Sequence, residues 1–475
     1  MIAPIDKISD HTRRLSEYIS EAVRRPLPDG VTEKARQHVV DTLAAMISGS
    51  QLRPGQMAIG YVTALGGAPE ASIVGTPVRT SAVNAALANG MLAHADETDD
   101  SHAPSRTHPG CAVVPAALAI AERNQLSGSA FLRAVVLGYD VAARLNYALS
   151  ADAFAAAARG THSFAGVFGA GAAAATLLDL SATGVRHVLS YCAQQASGVA
   201  CNVRDSEHIE KAFDFGGMPA RSGVAAATMV AHGFTGVDDV FAGERNFFEA
   251  FAPGPDPSRL VEALGERFEI MATNIKKWPV GSPAQSVLDA LTFLMENEKF
   301  PIANVTTINI HLPSHSVRTV DNAPMPDINV QHLCALLLVD GRLTFHSVHD
   351  RARMDDPAVL MMRGKIQLVA SQELGDARPR RQAIVEIALR DGRSLSRRTT
   401  AVRGSADNPM TGAEVEAKAL DLMAGVLGRA RADALLTVCH ALETNPDISN
   451  LRRLWVAPTL ERPLDSPIDF RGRLS

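Results

Sequence analysis

Asn304-Val-Thr-Thr-Ile-Asn-Ile-His-Leu-Pro313 is the stretch on which the fold turns. Its apolar side chains at 308, 310 and 312 alternate with polar ones, the period of a half-buried strand rather than of a helix. Gln382-Ala-Ile-Val-Glu-Ile-Ala-Leu-Arg390 repeats that period, and Asp391-Gly392 supplies a hairpin turn into a further strand from Ser394 to Val402. Between these strands the spacing predicts a helix over 330–338 and an extended segment over Leu343-Thr-Phe-His-Ser-Val348. On both sides of this region the pattern is helical. Upstream, Leu15, Ile19 and Val23 mark a first amphipathic helix over 6–25. Thr32 is placed to cap a second helix that carries Val39, Val40, Leu43 and Ile47 and ends at Gly49. A short extended piece over 71–76, a helix from Ser81, and helices over 112–123, 129–150 and 164–178 follow. Downstream, helix resumes at Thr411 and runs, punctuated by glycine, to Leu442. The expected organisation is an α-helical large domain formed by 1–273 and 406–475, with an α+β domain inserted at 274–405. A cleft between two such bodies is the expected place for a small-molecule site.

Composition narrows the partners. Of the 475 residues 46% are hydrophobic and only 5% aromatic, which suits a large core of closely packed helices rich in Ala and Gly. A net charge of −5, with no basic block long enough to track a phosphate backbone, argues against nucleic acid. The N-terminus lacks the pattern of a signal peptide, and the apolar run from Phe164 to Leu180 reads as a buried helix rather than a membrane span. Five cysteines without a CxxC pair point to free thiols in a reducing cytoplasm and give no indication of a zinc site.

The densest chemistry lies at Asn89-Gly-Met-Leu-Ala-His94-Ala-Asp96-Glu-Thr-Asp99-Asp100-Ser101-His102-Ala-Pro-Ser-Arg106-Thr107-His108-Pro109-Gly110. Four carboxylates and three histidines stand here between two apolar helical runs. Polar groups at the margin of a core have shifted pKa values and exchange protons near neutral pH. The competing reading is a solvated acidic loop. Arg159-Gly-Thr-His162 places His162 at the mouth of a Gly/Ala-rich helix, where free N–H groups favour an anion; the competing role is a capping histidine. Gly169-Ala-Gly171-Ala-Ala-Ala has the form of a dinucleotide fingerprint, but no strand precedes it, so these glycines are read as points of close helix approach. Lys211 and Arg221 lie among small residues and can receive carboxylates. Lys276 and Lys277 precede Trp278-Pro279 where the texture changes, with a solvated hinge as the alternative. These parts include acid/base groups and cations but no GxSxG, HExxH or phosphate loop. They suit proton abstraction next to a carboxylate.

Five segments in order resemble the MmgE/PrpD family, nearly end to end. Asn89-Gly, His94-Ala-Asp96 and Asp99-Asp100-Ser101 are similar to its NG…HxxDFDDT, and Thr107-His108-Pro109 to its HP. Gly160-Thr-His162 before Gly169 is similar to its FHxT…G, Lys276-Lys277-Trp278-Pro279 to its KxxP, and Asp407-Asn-Pro-Met-Thr411 to its NPLT. The resemblance implies a helical domain built from both chain ends, an inserted α+β lid domain, a homodimer, and no metal or organic cofactor. It also implies an active-site set at Asp96, Ser101 in place of a threonine, His108, His162, Lys211 and Lys276. Arg221, Lys277 and His332 are added here as substrate-binding candidates. Glu97-Thr98 fill a place where the family pattern has one residue; Gly281 stands where the decarboxylases have a histidine, and His332 where they have a tyrosine.

The expectation is therefore a cofactor-independent lyase or isomerase of a small di- or tricarboxylate, first of all a 2-methylcitrate dehydratase-like enzyme. The alternatives are an iminodisuccinate epimerase-like or cis-aconitate decarboxylase-like enzyme and, from another class, an inactive carboxylate-binding homologue. His108 or His162 is expected to move the α-proton, Asp96 to orient or protonate a leaving hydroxyl, and Lys211, Arg221 and Lys276 to hold carboxylates.

Overall fold

The computed structural model describes residues 8–252 and 254–458. They form two compact units. One holds the chain up to Ala95, Asp100–Thr273 and the chain from Leu422; the other holds Asp96–Asp99 and Asn274–Asp421.

In the first unit the helices are α1 (Asp10–Glu21), α2 (Asp29–Gly49), α3 (Arg53–Leu65), α4 (Ala82–Ala93), α5 (Gly110–Arg123), α6 (Gly128–Ala148), α7 (Ala151–Ala156), α8 (Thr161–Leu177), α9 (Ala182–Gln195), α10 (Ile209–Ala212), α11 (Met218–Ala231) and α12 (Phe247–Phe251). A two-strand ribbon, β1 (Ala71–Ser72) and β2 (Arg79–Thr80), interrupts them. Helix α2 starts earlier than its sequence suggests. Pro28 takes an extended conformation just before it and Asp29 brings a negative charge to its first turn, so Thr32 lies inside the helix and is no cap. Ser81 caps α4 by accepting a hydrogen bond from the Asn84 N–H, as its position predicts.

Helix α8 is buried along nearly its whole length, which its Gly/Ala content permits. A Cβ on Gly169 would lie 2.6 Å from the Gly138 carbonyl oxygen of α6, and one on Gly223 of α11 would lie 2.5 Å from the Gly171 backbone nitrogen. The glycines of the apparent dinucleotide fingerprint are thus helix-contact residues. Between α10 and α11 the chain widens into a π-helical turn, Phe213–Gly217. There Gly216 packs backbone to backbone on Gly90 of α4: a Cβ on either would meet the other's carbonyl oxygen within 2.4 Å. Close approach at this point fixes the aim of the neighbouring Phe215.

The second unit carries a four-stranded sheet in the order β4 (Ile366–Ser371), β3 (Val305–Pro313), β5 (Ala383–Leu389), β6 (Ser394–Thr399). The β3–β4 pair is parallel and the others antiparallel. Its helices are α13 (Ser282–Asn297), α14 (Ser314–Val320), α15 (Val330–Asp340), α16 (Phe345–His349), α17 (Pro357–Arg363) and α18 (Gln372–Asp376). Strand β5 alternates buried and half-buried residues, and its inward face joins Val287, Leu291, Leu333 and Leu336 of α13 and α15 in one apolar core. The hairpin turn at Asp391-Gly392 is present, with Gly392 in the left-handed region at φ +87°. From Phe345 the expected extended segment is helical instead. Thr344 and Ser347 close a capping box on each other's backbone, and this local pairing outweighs the β-branched content. The chain returns to the first unit inside α19 (Gly412–Leu427), which precedes α20 (Arg429–His440) and α21 (Arg452–Trp455). Among the described residues no helix is long and apolar enough to cross a membrane.

Replacing Gly223 by Ala is expected to destabilise the protein by about 1–3 kcal/mol, because the new methyl meets backbone that cannot yield. Gly60→Ala, in open space on α3, is expected to be neutral or slightly stabilising. Thermal unfolding of the two variants checks the contrast.

Candidate active site

The first unit gathers imidazoles around one aromatic ring. Phe215 stacks on His162 at 3.7 Å between ring centroids and on His94 at 4.5 Å. His108 lies 5.1 Å from His162 and 5.3 Å from His94, and His208 lies 5.0 Å from His94. The Lys211 ammonium sits 5.2 Å from the Phe215 centroid, in cation–π range. Three expected residues, His108, His162 and Lys211, are therefore brought together from three separate stretches. Phe215, His94 and His208 complete the group. Asp214, next to Phe215, is pushed up to about 6 by burial, against the lowering effect of Ser163 and Asn202.

Two sets of hydrogen bonds hold this geometry. Asp100 is fully buried and accepts from Tyr139 Oη at 2.5 Å and from the Gly110 N–H at 3.0 Å, with His38 Nδ1 2.7 Å away. It ties the start of α5, two residues past His108, to α2 and α6. Asn146 of α6 donates both amide hydrogens to carbonyls, Ser105 O and Thr161 O, each at 2.9 Å, while Thr161 Oγ1 donates to Arg106 O at 2.8 Å. This clamp joins the loop before His108 to the first turn of α8, which carries His162. The loop itself is closed by reciprocal backbone bonds between His102 and Thr107 and by a left-handed Arg106 at φ +55°. Ser101 is buried at its entrance.

The second unit has its own charged cluster, built on Asp96–Asp99. Asp96 accepts from Thr98 at both oxygens: Oδ1 from the N–H at 2.9 Å and Oδ2 from Oγ1 at 2.6 Å. Its Oδ2 also lies 3.0 Å from His349 Nε2 of α16. Burial acts to raise the Asp96 pKa, but His349 and Thr98 outweigh it and hold the carboxyl below its usual value. Burial likewise acts against the His349 cation, and Asp96 reverses this, raising the imidazole to about 9. The Lys276 ammonium donates to Glu97 O at 2.6 Å and lies 3.6 Å from both Glu97 Oε2 and Asp99 Oδ1. Lys418 donates to Thr98 O at 2.9 Å.

The remaining candidates lie elsewhere. Arg221 rests 5.9 Å from the Phe213 ring and Lys277 4.6 Å from the Trp278 ring. His332 of α15 is fully buried with neither ring nitrogen hydrogen-bonded, and burial first, then Arg363 and Arg353, lowers it to about 4. His349, Lys418, Asn146 and Phe215 carry no signal in a local sequence pattern, since each acts on residues far away in the chain.

Comparison with known proteins gives the family. The MmgE/PrpD N-terminal domain matches residues 13–260 and the MmgE/PrpD C-terminal domain matches residues 278–444. The chain belongs to the MmgE/PrpD family. Among its MmgE/PrpD relatives, a cis-aconitate decarboxylase-like protein of Aspergillus oryzae is 25% identical over 93% of this chain and 96% of its own length. A cis-aconitate decarboxylase of Aspergillus terreus is 22% identical over 96% of this chain and 97% of its own. Both MmgE/PrpD domains are thus present in a chain whose matched relatives are named as decarboxylases or decarboxylase-like.

Replacing Asn146 by Ala removes the bridge between the Ser105 and Thr161 carbonyls and should cost about 1–3 kcal/mol, while turnover falls by more than the fraction unfolded accounts for. Circular dichroism and turnover measured on the same sample check this. The raised His349 value sets a sign for pH dependence. Its ion pair contributes stability that is complete below the unfolded value near 6.5 and is lost as pH rises through about 9. The melting temperature of the wild type should accordingly fall between pH 7 and 9.5, and this component of the fall should be absent in His349→Gln.

Proposed function

We propose that this member of the MmgE/PrpD family is a cofactor-independent lyase that moves a proton on the carbon α to a carboxylate of a small di- or tricarboxylate, as in dehydration of a 2-methylcitrate-like substrate. The observation that carries the reading is the His108–His162 pair on Phe215, with the Lys211 ammonium over the same ring. Taking an α-proton from a carboxylate-bearing carbon builds charge on a group that is already negative. A neutral imidazole is a base of suitable strength for that step, and a nearby ammonium offsets the charge that develops. Two imidazoles in edge contact can divide the work, one accepting the proton while the other orients the substrate. Within the second unit, Lys276 fixes the segment that carries the ionised Asp96.

Decarboxylation is the second reading, favoured by the names of the Aspergillus relatives. It uses the same groups with the proton delivered to carbon after carbon dioxide leaves. Epimerisation of an iminodisuccinate-like substrate also needs only proton removal and return.

Citrate, 2-methylcitrate, cis-aconitate and iminodisuccinate offered separately, with products followed by NMR, test the proposal. At least one is expected to turn over, and His108→Ala is expected to lower kcat by about 100-fold or more while carboxylate-dependent thermal stabilisation persists. Stabilisation by carboxylates with no turnover of any of them would make the chain a binding protein instead.

A further inference from the structure

The first unit holds a longer row of imidazoles than the proton transfer itself needs. Ring centroids are 5.1 Å apart from His162 to His108, 5.3 Å from His108 to His94 and 5.0 Å from His94 to His208. His162 and His108 are half-buried, whereas His94 and His208 are 0% and 4% exposed. Phe215 sets the order of the rings. His162 and His94 lie nearly parallel to it, at 22° and 19°, and His108 stands edge-on to both, at 68° and 76°. A ring nitrogen of His94 lies within 4.8 Å of one of His208, a gap that one water making two hydrogen bonds of about 2.9 Å spans. His208 is held at the end of this row against its backbone preference: its φ is +62°, in the left-handed region, where a residue other than glycine is strained. The loop before it imposes that conformation. Asp205 accepts from the Glu207 N–H at 2.9 Å and from the Lys211 N–H at 3.1 Å, and Arg53 pairs with Glu207. Ser206 and Glu207 are exposed, so the last imidazole of the row adjoins a turn open to solvent.

Resting on the proposed lyase activity, we infer that His94 and His208 extend the His108–His162 pair into a proton relay whose exit to solvent is His208. An imidazole takes a proton at one ring nitrogen and gives one up from the other, which suits it to hand a proton on near neutral pH. The base removes the α-proton while the C–H electron pair stays with the substrate, and it becomes an imidazolium. The surplus proton passes through His108 to His94 and His208, and from His208 to water or a buffer base. One proton enters, one leaves, and all four rings end neutral. Left on the base, that proton returns to the α-carbon or holds up the next turnover. His94 and His208 do not touch the reacting atoms in this sequence of transfers; they act through His108.

The test uses whichever of the four carboxylates the wild type turns over. His208→Asn removes the imidazole and supplies a residue that tolerates a positive φ. In about 5 mM of a buffer other than imidazole its kcat should fall about tenfold with KM within about threefold, and about 100 mM imidazole should restore kcat to within about twofold of the wild type. The wild type should show no dependence on imidazole, because its own row of rings delivers the proton. A folded variant with wild-type kcat at low buffer, or with a loss that imidazole does not restore, overturns the relay and leaves the lyase reading standing. Should the variant not fold by circular dichroism, the wild type decides: kcat unchanged across that range of imidazole supports the relay, and a rise of about threefold or more overturns it. A wild type inactive on every carboxylate overturns the lyase reading, and the relay with it.

Discussion

Asp100 is the fixed point of the first unit. Its buried carboxylate joins α2, α6 and the first residue of α5 through His38, Tyr139 and Gly110. A buried carboxyl is tolerable only when its oxygens are hydrogen-bonded, and here the partners come from three elements. The arrangement leaves little freedom in where α5 begins, and His108 lies two residues before that start. The Asn146 clamp then carries the same order across to α8 and His162. Acid/base chemistry needs groups placed to within a few tenths of an ångström, and the helical unit supplies that rigidity through hydrogen bonds to backbone rather than through side-chain packing alone.

Within one short stretch the chain divides its acids between tasks. Asp100 is structural to the helical unit, whereas Asp96, Glu97 and Asp99 group with the second unit. Cations meet those three on each side: His349 beside Asp96, Lys276 between Glu97 and Asp99, with Lys418 on the backbone at Thr98. Several negative charges buried close together would repel and protonate if left alone. His349 beside Asp96 keeps that carboxyl ionised, and Lys276 and Lys418 hold the turn in one shape.

Much of this was legible in the sequence, and the reasons for the rest are physical. Helices such as α4, α5, α6 and α8 announce themselves by apolar runs with Ser caps or Gly ends, and β3, β5 and β6 by alternation around Asp391-Gly392. Strand β4 escapes notice because it is a sheet edge with several exposed residues, so its alternation is weak. The segment 343–348 has β-branched and aromatic residues that favour a strand, yet its capping box makes it helix and thereby aims His349. The family resemblance singles out His108, His162 and Lys211; nothing in the sequence singles out the residues that gather them, Phe215 on a π-turn and Asn146 in mid-helix. A side chain that bonds to carbonyls forty-one and fifteen residues away leaves no local trace.

The central claim is that the His108–His162 pair transfers the proton on the α-carbon, and solvent deuterium reports this most directly. The unsaturated acid corresponding to whichever substrate is turned over should, on hydration in D₂O, yield product with one deuterium at the α-carbon. The account predicts this labelling for the wild type and its loss in the His108→Asn, His162→Asn double variant, with the fold intact by circular dichroism. Labelling by the folded double variant at the wild-type rate would contradict it.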